Sequence, residues 1–307
     1  MMKKEIISLL FVFALASCME VALEPLPDKG EVTVGLDWEN TSIPGKMTYV
    51  FYPDGGSPVT HDGAGSSFTG ELPAGMYAML AYEADAAGVV YSGMESYATA
   101  RVAAKVVSST RVNADWLLQP DELFSGGLTG LVVQPMDTIR LWTVPRQLTR
   151  SLRLVFALSD VAGVTEIEGL LCGIYPSLSL ATGEPSAESV AAAPSHQTAF
   201  SVEVGTENKV AATVRFLGLR NPEGGKAYTN TLLLTLKGSD GWQQQTSVDL
   251  TRALTDIYAA GNEEFAFELP THIEIKIEPT FVSLSAIVVG WTVGEGGGDI
   301  DYVYPRE

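Results

Sequence analysis

Apolar and polar side chains alternate along the first part of the chain. Four apolar residues occupy every second position between residues 32 and 38, namely Val32, Val34, Leu36 and Trp38. Because successive side chains of a strand point to opposite faces of a sheet, this period of two predicts a half-buried β-strand. A second strand is predicted at 47–52, which is rich in aromatic and β-branched residues.

Proline and glycine mark where these strands end. The tetrapeptide 53–56, Pro-Asp-Gly-Gly, predicts a turn, because proline fixes φ and glycine accepts positive φ. The segment Leu72-Pro73-x-Gly75-x-Tyr77 is typical of the entry into a strand in transthyretin-like and related small β-sandwiches. It carries no reactive group, so we interpret Tyr77 as a core or edge aromatic residue.

The second half of the chain repeats this pattern. Strands are predicted at 139–158, with a bend at Pro145, and then at 210–217, 229–236, 273–277 and 281–293, with a hairpin turn at 237–242. One helix is predicted at 250–260, and the segment 181–195 is expected to be a surface loop. The bridge 113–138 contains several glycines and prolines and is the candidate domain junction. The pattern as a whole predicts an all-β protein.

The N-terminus has the layout of a bacterial export signal. Lys3 and Lys4 precede an uncharged stretch at 6–16, which is too short to span a bilayer as a helix. The residues Leu15, Ala16, Ser17 and Cys18 resemble the lipobox of bacterial lipoproteins, in which the cysteine thiol is acylated before cleavage. Residues 1–17 are therefore predicted to be a lipoprotein signal peptide and Cys18 the lipidation site. The alternative is a secreted protein without lipid.

Charge and cysteine content narrow the possible partners. The 307 residues carry a formal net charge of −18, which disfavours nucleic acid and anionic membrane surfaces. The acidic residues are dispersed, and the turns with Asp54, Asp299 and Asp301 lack the spacing of an EF-hand loop. If Cys18 carries lipid, Cys172 has no disulfide partner, and it is interpreted as a small buried residue within an apolar run.

No motif for catalysis, cofactor binding or metal binding stands out. His61, His196 and His272 lie apart and lack the spacing of metal ligands. Glu166 and Glu168 would share a face of a strand, and a solvent-exposed strand edge explains this pair as well as an acid and base for glycoside hydrolysis does. Five tryptophans could form a platform for sugars, but most are expected in the core: Trp38, Trp116, Trp142, Trp242 and Trp291. We therefore expect neither an enzyme nor a cofactor.

Several motifs together resemble the fimbrillin and fimbrial-anchor-like lipoproteins of Bacteroidales. They are the lipobox, Asp37-Trp38, Phe51-Tyr52-Pro53 before Asp-Gly-Gly, the Leu72 to Tyr77 entry, and the terminal strand from Phe281 to Trp291. The resemblance implies two tandem β-sandwich domains of transthyretin-like topology, which we place at 31–125 and 138–307, after a linker at 18–30. It also implies an outer-membrane lipoprotein that pairs strands with fimbrial subunits or other surface proteins, without a cofactor.

In polymerising relatives, an arginine-specific protease is thought to remove an N-terminal strand. The first arginine of this chain is Arg101, so such cleavage has no site that spares the first sandwich. The chain therefore resembles an anchor or a surface adhesin more than a stalk subunit, with strand pairing expected at the C-terminal strand or at an edge around 148–158. The alternative from another class is a surface glycan-binding lipoprotein of a nutrient-uptake system.

Cys18 gives the first prediction. Metabolic labelling with palmitate is expected to mark the wild-type protein and to fail on Cys18→Ala, because the thiol is the proposed acceptor of the acyl chain. Equal labelling of both proteins would contradict the lipid anchor.

Overall fold

The computed structural model describes residues 28–38, 42–108, 116–158, 163–192, 196–205, 210–219, 230–251 and 254, and the backbone alone of 109, 114–115, 209, 272–280, 285–293 and 302–303. Cys18 and the rest of the predicted signal peptide lie outside these residues. The strands are β1 Lys29–Leu36, β2 Lys46–Pro53, β3 Val59–Ala64, β4 Ser67–Pro73, β5 Gly75–Tyr82, β6 Val89–Ser92, β7 Arg101–Ala104, β8 Val106–Ser109, β9 Ala114–Leu117, β10 Phe124–Val133, β11 Thr138–Thr143, β12 Arg146–Gln147, β13 Arg150–Ala157, β14 Val164–Cys172, β15 Ser177–Ser179, β16 Gln197–Glu203, β17 Lys209–Phe216, β18 Thr231–Gly238, β19 Gln243–Asp249, β20 His272–Thr280, β21 Ser285–Val293 and β22 Tyr302–Val303. A short helix, α1, spans Ala187–Ala192.

Two sheets enclose the core of the N-terminal half. Sheet A has the strand order β11-β1-β4, and sheet B has the order β12-β10-β5-β2-β3. Side chains from the inner faces of both sheets form one buried cluster, in which the Phe51 and Phe68 rings lie 5.1 Å apart. Burial of this apolar and aromatic surface stabilises the sandwich.

The central strands of sheet B, β2 and β5, are buried on both faces. Met47, Tyr49 and Phe51 of β2 face sheet A, whereas Val50 and Tyr52 face the opposite side. There they meet a small sheet C, of order β15-β7-β6. This double burial explains why β2 carries apolar residues at consecutive positions instead of a clean alternation.

The C-terminal half is built from two further sheets. Sheet D has the order β19-β18-β14-β16-β9-β8, and sheet E has the order β17-β13-β20-β21-β22. Alternate residues of β13, β14 and β18 point into the core between them, including Leu152, Ile167 and Leu234. The same buried cluster continues without interruption to Leu80 of sheet B.

Strands cross between the two halves of the chain. The hairpin of β8 and β9 comes from the first half, yet β9 pairs with β16 of sheet D through Thr198 and Leu117. In return, β15 from the second half pairs with β7 in sheet C. In addition, β11 lies beyond the predicted junction but pairs in parallel with β1 in sheet A. The domain ranges remain a prediction, and strand pairing crosses the boundary between them.

Much of the local structure agrees with the sequence pattern. The all-β fold class is confirmed, and β1 buries Val32, Val34 and Leu36. The predicted turn at 53–56 is present with Gly55 at φ 78°. The Tyr77 hydroxyl donates a hydrogen bond to the Pro73 carbonyl at 2.9 Å, and its ring is buried, which confirms the core interpretation.

The long strand predicted at 139–158 is not continuous. The run divides around Pro145 into β11, β12 and β13, which belong to sheets A, B and E respectively. The predicted pairing edge around 148–158 is wrong, because β13 lies inside sheet E between β17 and β20. The C-terminal strand β21 is likewise interior, between β20 and β22.

The segment 181–195 is not a plain surface loop, because it contains helix α1. Ser186 caps this helix: its Oγ accepts a hydrogen bond from the Ser189 amide at 3.1 Å, and its carbonyl accepts one from Val190 at 2.9 Å. Most of the helix predicted at 250–260 lies outside the described residues. At its start, the Leu254 amide donates a hydrogen bond to the Leu250 carbonyl at 2.9 Å.

The continuous core gives a prediction for unfolding. Leu80→Ala leaves a cavity in a cluster that spans both halves and should cost about 2–5 kcal/mol. Urea unfolding followed by circular dichroism and tryptophan fluorescence should show a single transition shifted to lower urea. Leu233→Ala, at an exposed position, is the control with a small effect. A second, unshifted transition in Leu80→Ala would show that the two halves unfold separately and would contradict the prediction.

Candidate functional site

The tryptophans differ strongly in exposure. Trp38 is buried, its Nε1 donates to the Gly65 carbonyl at 2.8 Å, and its ring meets Phe124 edge-on. Trp116 and Trp242 are half-buried, whereas Trp142 is 72% exposed. The side chain of Trp291 lies outside the described residues. Among the four described side chains only Trp38 is a core residue, so the expectation that most are buried is wrong for this set.

Trp142 lies on the outer face of sheet A. Ile139 and Leu141 of β11 pack against the core, so Arg140 and Trp142 point outward. Trp142 is paired in register with Gly35 of β1, and a Cβ atom at position 35 would lie 2.2 Å from the indole ring. The ring therefore lies over the backbone of β1, and a side chain at position 35 would displace it.

Glu166 and Glu168 form an ion-pair cluster with Lys237. The Lys237 Nζ lies 2.5 Å from Glu168 Oε1 and 3.2 Å from Glu166 Oε2. Ser201 donates a hydrogen bond to Glu166 at 2.7 Å, and this bond together with Lys237 lowers the pKa of Glu166. A general acid for glycoside hydrolysis needs a raised pKa. The pair therefore fits a structural ion pair on the outer face of sheet D.

The described histidines lie in different sheets, His61 in β3 of sheet B and His196 directly before β16 of sheet D, where its carbonyl accepts a hydrogen bond from the Gly173 amide at 3.1 Å. The His61 ring packs against Phe68, with centroids 5.1 Å apart, and His196 Nδ1 lies 2.8 Å from the Ala192 carbonyl. The side chain of His272 lies outside the described part. Cys172 is half-buried rather than buried, and its Sγ lies 3.7 Å from Gln197 Oε1. Burial raises the pKa of this thiol, which opposes its use as a nucleophile.

A cavity of about 280 Å³ lies between β2, the end of β5 and the loop before β10. Lys46 lines the cavity, and its Nζ lies 3.1 Å from Asp62 and 3.8 Å from Asp85. Glu83 lines the cavity, and its Oε2 accepts a hydrogen bond from the Phe124 amide at 3.1 Å. Burial raises the pKa of Glu83, although this hydrogen bond opposes the shift.

Two kinds of special site are absent from the described part of the chain. No group of three or more His, Cys, Asp or Glu side chains is placed there to hold a metal ion. No helix among the same residues has the length and apolar character to span a membrane.

Comparison with known proteins adds a family and a fold. A model of the family described as Domain of unknown function (DUF5119) matches residues 22–193, which is more than half of the chain. No curated protein sequence matches. A solved candidate adhesin of Bacteroides ovatus is similar, with a TM-score of 0.58 and 18% identity, over 83% of this chain and 92% of that one.

Two further solved structures share the architecture. A candidate polysaccharide-binding protein (DUF1812) of Bacteroides thetaiotaomicron has a TM-score of 0.55 and 12% identity, over 89% of this chain and 98% of that one. The fimbrial anchor protein Mfa2 of Porphyromonas gingivalis has a TM-score of 0.52 and 16% identity, over 90% and 100%. The resemblance to fimbrial-anchor-like proteins is thus confirmed at the level of the fold.

Glu83 gives a prediction for pH dependence. Its folded-state pKa lies above its ordinary value of 4.5, so the folded protein holds this proton more tightly than the unfolded chain does. The protonated carboxyl therefore stabilises the folded state at low pH, and this contribution is lost as pH rises through the folded-state pKa. Glu83→Gln stays neutral, so its Tm relative to wild type should increase from pH 4 to pH 7 in thermal melts. A difference in Tm that is the same at every pH would contradict the assignment.

Proposed function

This chain belongs to the family described as Domain of unknown function (DUF5119), and we propose that it is a lipid-anchored surface protein of the outer membrane. In this proposal it serves as a fimbrial anchor, an assembly component or an adhesin, and it joins its partners by β-strand pairing. The observation that carries the proposal is the fold, which matches the fimbrial anchor protein Mfa2 over nearly the whole of both chains. The Cys18 lipobox supplies the anchor.

The position of β1 supports an anchor or an adhesin rather than a stalk subunit. β1 is the central strand of sheet A, paired with β11 on one side and β4 on the other. Val32 and Val34 are fully buried beneath it. The first arginine, Arg101, lies in β7, so arginine-specific cleavage does not release β1 alone. β1 therefore keeps its position in sheet A, and a strand from a partner protein must pair with a different edge.

Strand β19 is the edge best suited to such pairing. It ends sheet D, pairs with β18 and also lies close to β21 of sheet E. It is seven residues long and carries no charge before Asp249, whereas the edge strand β3 carries Asp62. Charges on edge strands oppose added strands, so an uncharged edge of this length is the more receptive one.

The hydrogen bonds of β19 show which of its backbone groups point away from β18. Gly238 donates to the Trp242 carbonyl at 3.0 Å, and Leu250 donates to the Asn230 carbonyl at 2.8 Å. Because backbone groups of successive residues point to opposite edges, even-numbered residues of β19 face β18. The backbone of Gln245 therefore faces away from β18, and that of Gln244 faces toward it.

A pair of proline variants tests strand pairing at this edge. Proline removes a backbone amide donor, so Gln245→Pro should keep the fold, which an unchanged Tm would show. The variant should still be exposed to protease on intact cells, but fimbrial subunits should no longer co-purify with it. Gln244→Pro removes a bond to β18 and should lower the Tm instead. A folded Gln245→Pro protein that still co-purifies with its subunits would overturn pairing at β19.

A further inference from the structure

The outer face of sheet A presents one exposed aromatic ring, which is surrounded mainly by polar side chains. Trp142 is the most exposed of the large apolar side chains in the described part of the chain. Its ring lies over the backbone of Gly35, and a Cβ atom at that position would come within 2.2 Å of the indole. An indole fixed in this way loses little conformational freedom when a ligand stacks on it.

Polar groups flank the ring in register. Ser67 of β4 lies across Gly35 from Trp142, so these three positions form one row across the sheet. The next row consists of Arg140, Thr33 and Thr69, and the hydroxyl oxygens of Thr33 and Thr69 lie 3.2 Å apart. These side chains offer both donors and acceptors within reach of a ligand that covers the ring.

We propose that this face binds a neutral glycan, with a pyranose ring stacked on Trp142 and its hydroxyls bonded to the neighbouring polar row. A pyranose has apolar C–H groups on its faces and hydroxyls around its rim, which matches one aromatic ring bordered by Ser, Thr and Arg. An apolar protein partner would need a larger continuous apolar patch than Trp142 and Val144 provide. Glu31 and Glu71 are paired in register on the same face, and they disfavour an anionic polysaccharide.

The test uses the full chain purified in detergent and affinity electrophoresis in gels that contain mannan, dextran or xylan. At least one of these neutral polysaccharides should retard the wild-type protein. Trp142→Ala should weaken that binding roughly tenfold or more, and Trp142→Phe should retain part of it. Met136→Ala, at an exposed apolar position outside this face, is the matched control and should bind as wild type does.

Trp142→Ala could weaken binding through a loss of stability, since Trp142 also covers Gly35, and a second variant controls for this. Thr33→Val keeps the shape of the side chain and removes a hydroxyl from the polar row, so it should weaken binding severalfold at an unchanged Tm. The glycan site is overturned if the wild type binds none of the three polysaccharides, or if Trp142→Ala binds as wild type does. It is also overturned if Trp142→Ala changes only the oligomeric mass in light scattering, because the face is then a contact between copies.

The outcome is separate from that of the proposed function. Trp142→Ala should still co-purify with fimbrial subunits, because Trp142 is in sheet A and the proposed pairing edge is in sheet D. Gln245→Pro, in turn, should bind the polysaccharide normally. Either proposal can therefore fail while the other stands.

Discussion

The exchange of strands between the two halves of the chain is the constraint on which the rest of the structure depends. Sheet D includes β9 from the first half, and sheet C includes β15 from the second. Neither half has its complete set of strands without the other. The hydrophobic cluster that contains Leu80 and Leu152 is continuous for this reason, and the relative placement of sheets A and D follows from it.

Such a junction buries polar groups, and several of them are paired, whereas the hydroxyl of Tyr52 in the same cluster is buried without a hydrogen-bond partner. The Thr198 hydroxyl donates to the Leu117 carbonyl at 2.8 Å, and the Ser125 hydroxyl donates to the Leu180 carbonyl at 2.8 Å. The side chain of Gln119 bonds to the Ala199 carbonyl and to the Arg215 amide, which joins a strand of sheet D to a strand of sheet E. Each buried polar group left without a partner would cost about 1–3 kcal/mol, so these bonds maintain the junction.

Local features were readable from the sequence because their causes are local. The alternation in β1 and the glycine turn at Gly55 depend on neighbouring residues alone. The partners of a strand depend on distant residues, so the parallel pairing of β1 with β11 and the interior place of β13 left no local signal. Helix α1 did have one, in the cap Ser186 and the alanines that follow it.

The candidate glycan face could not be read from the sequence for a related reason. Apolar residues occupy both sets of alternate positions in this part of the chain, with Ile139 and Leu141 on one set and Trp142 and Val144 on the other. The period of two therefore does not tell which set is buried. The decisive observation is the register with β1, which places a glycine beneath the indole.

The central position of β1 determines how the protein responds to mechanical force. A pull applied through the N-terminal end of β1 runs along the strand, while its hydrogen bonds to β11 and β4 run across it. The load is then shared by all these bonds in shear, and they must break together instead of opening one after another. A force applied ahead of Lys29 would therefore load both rows of hydrogen bonds in shear.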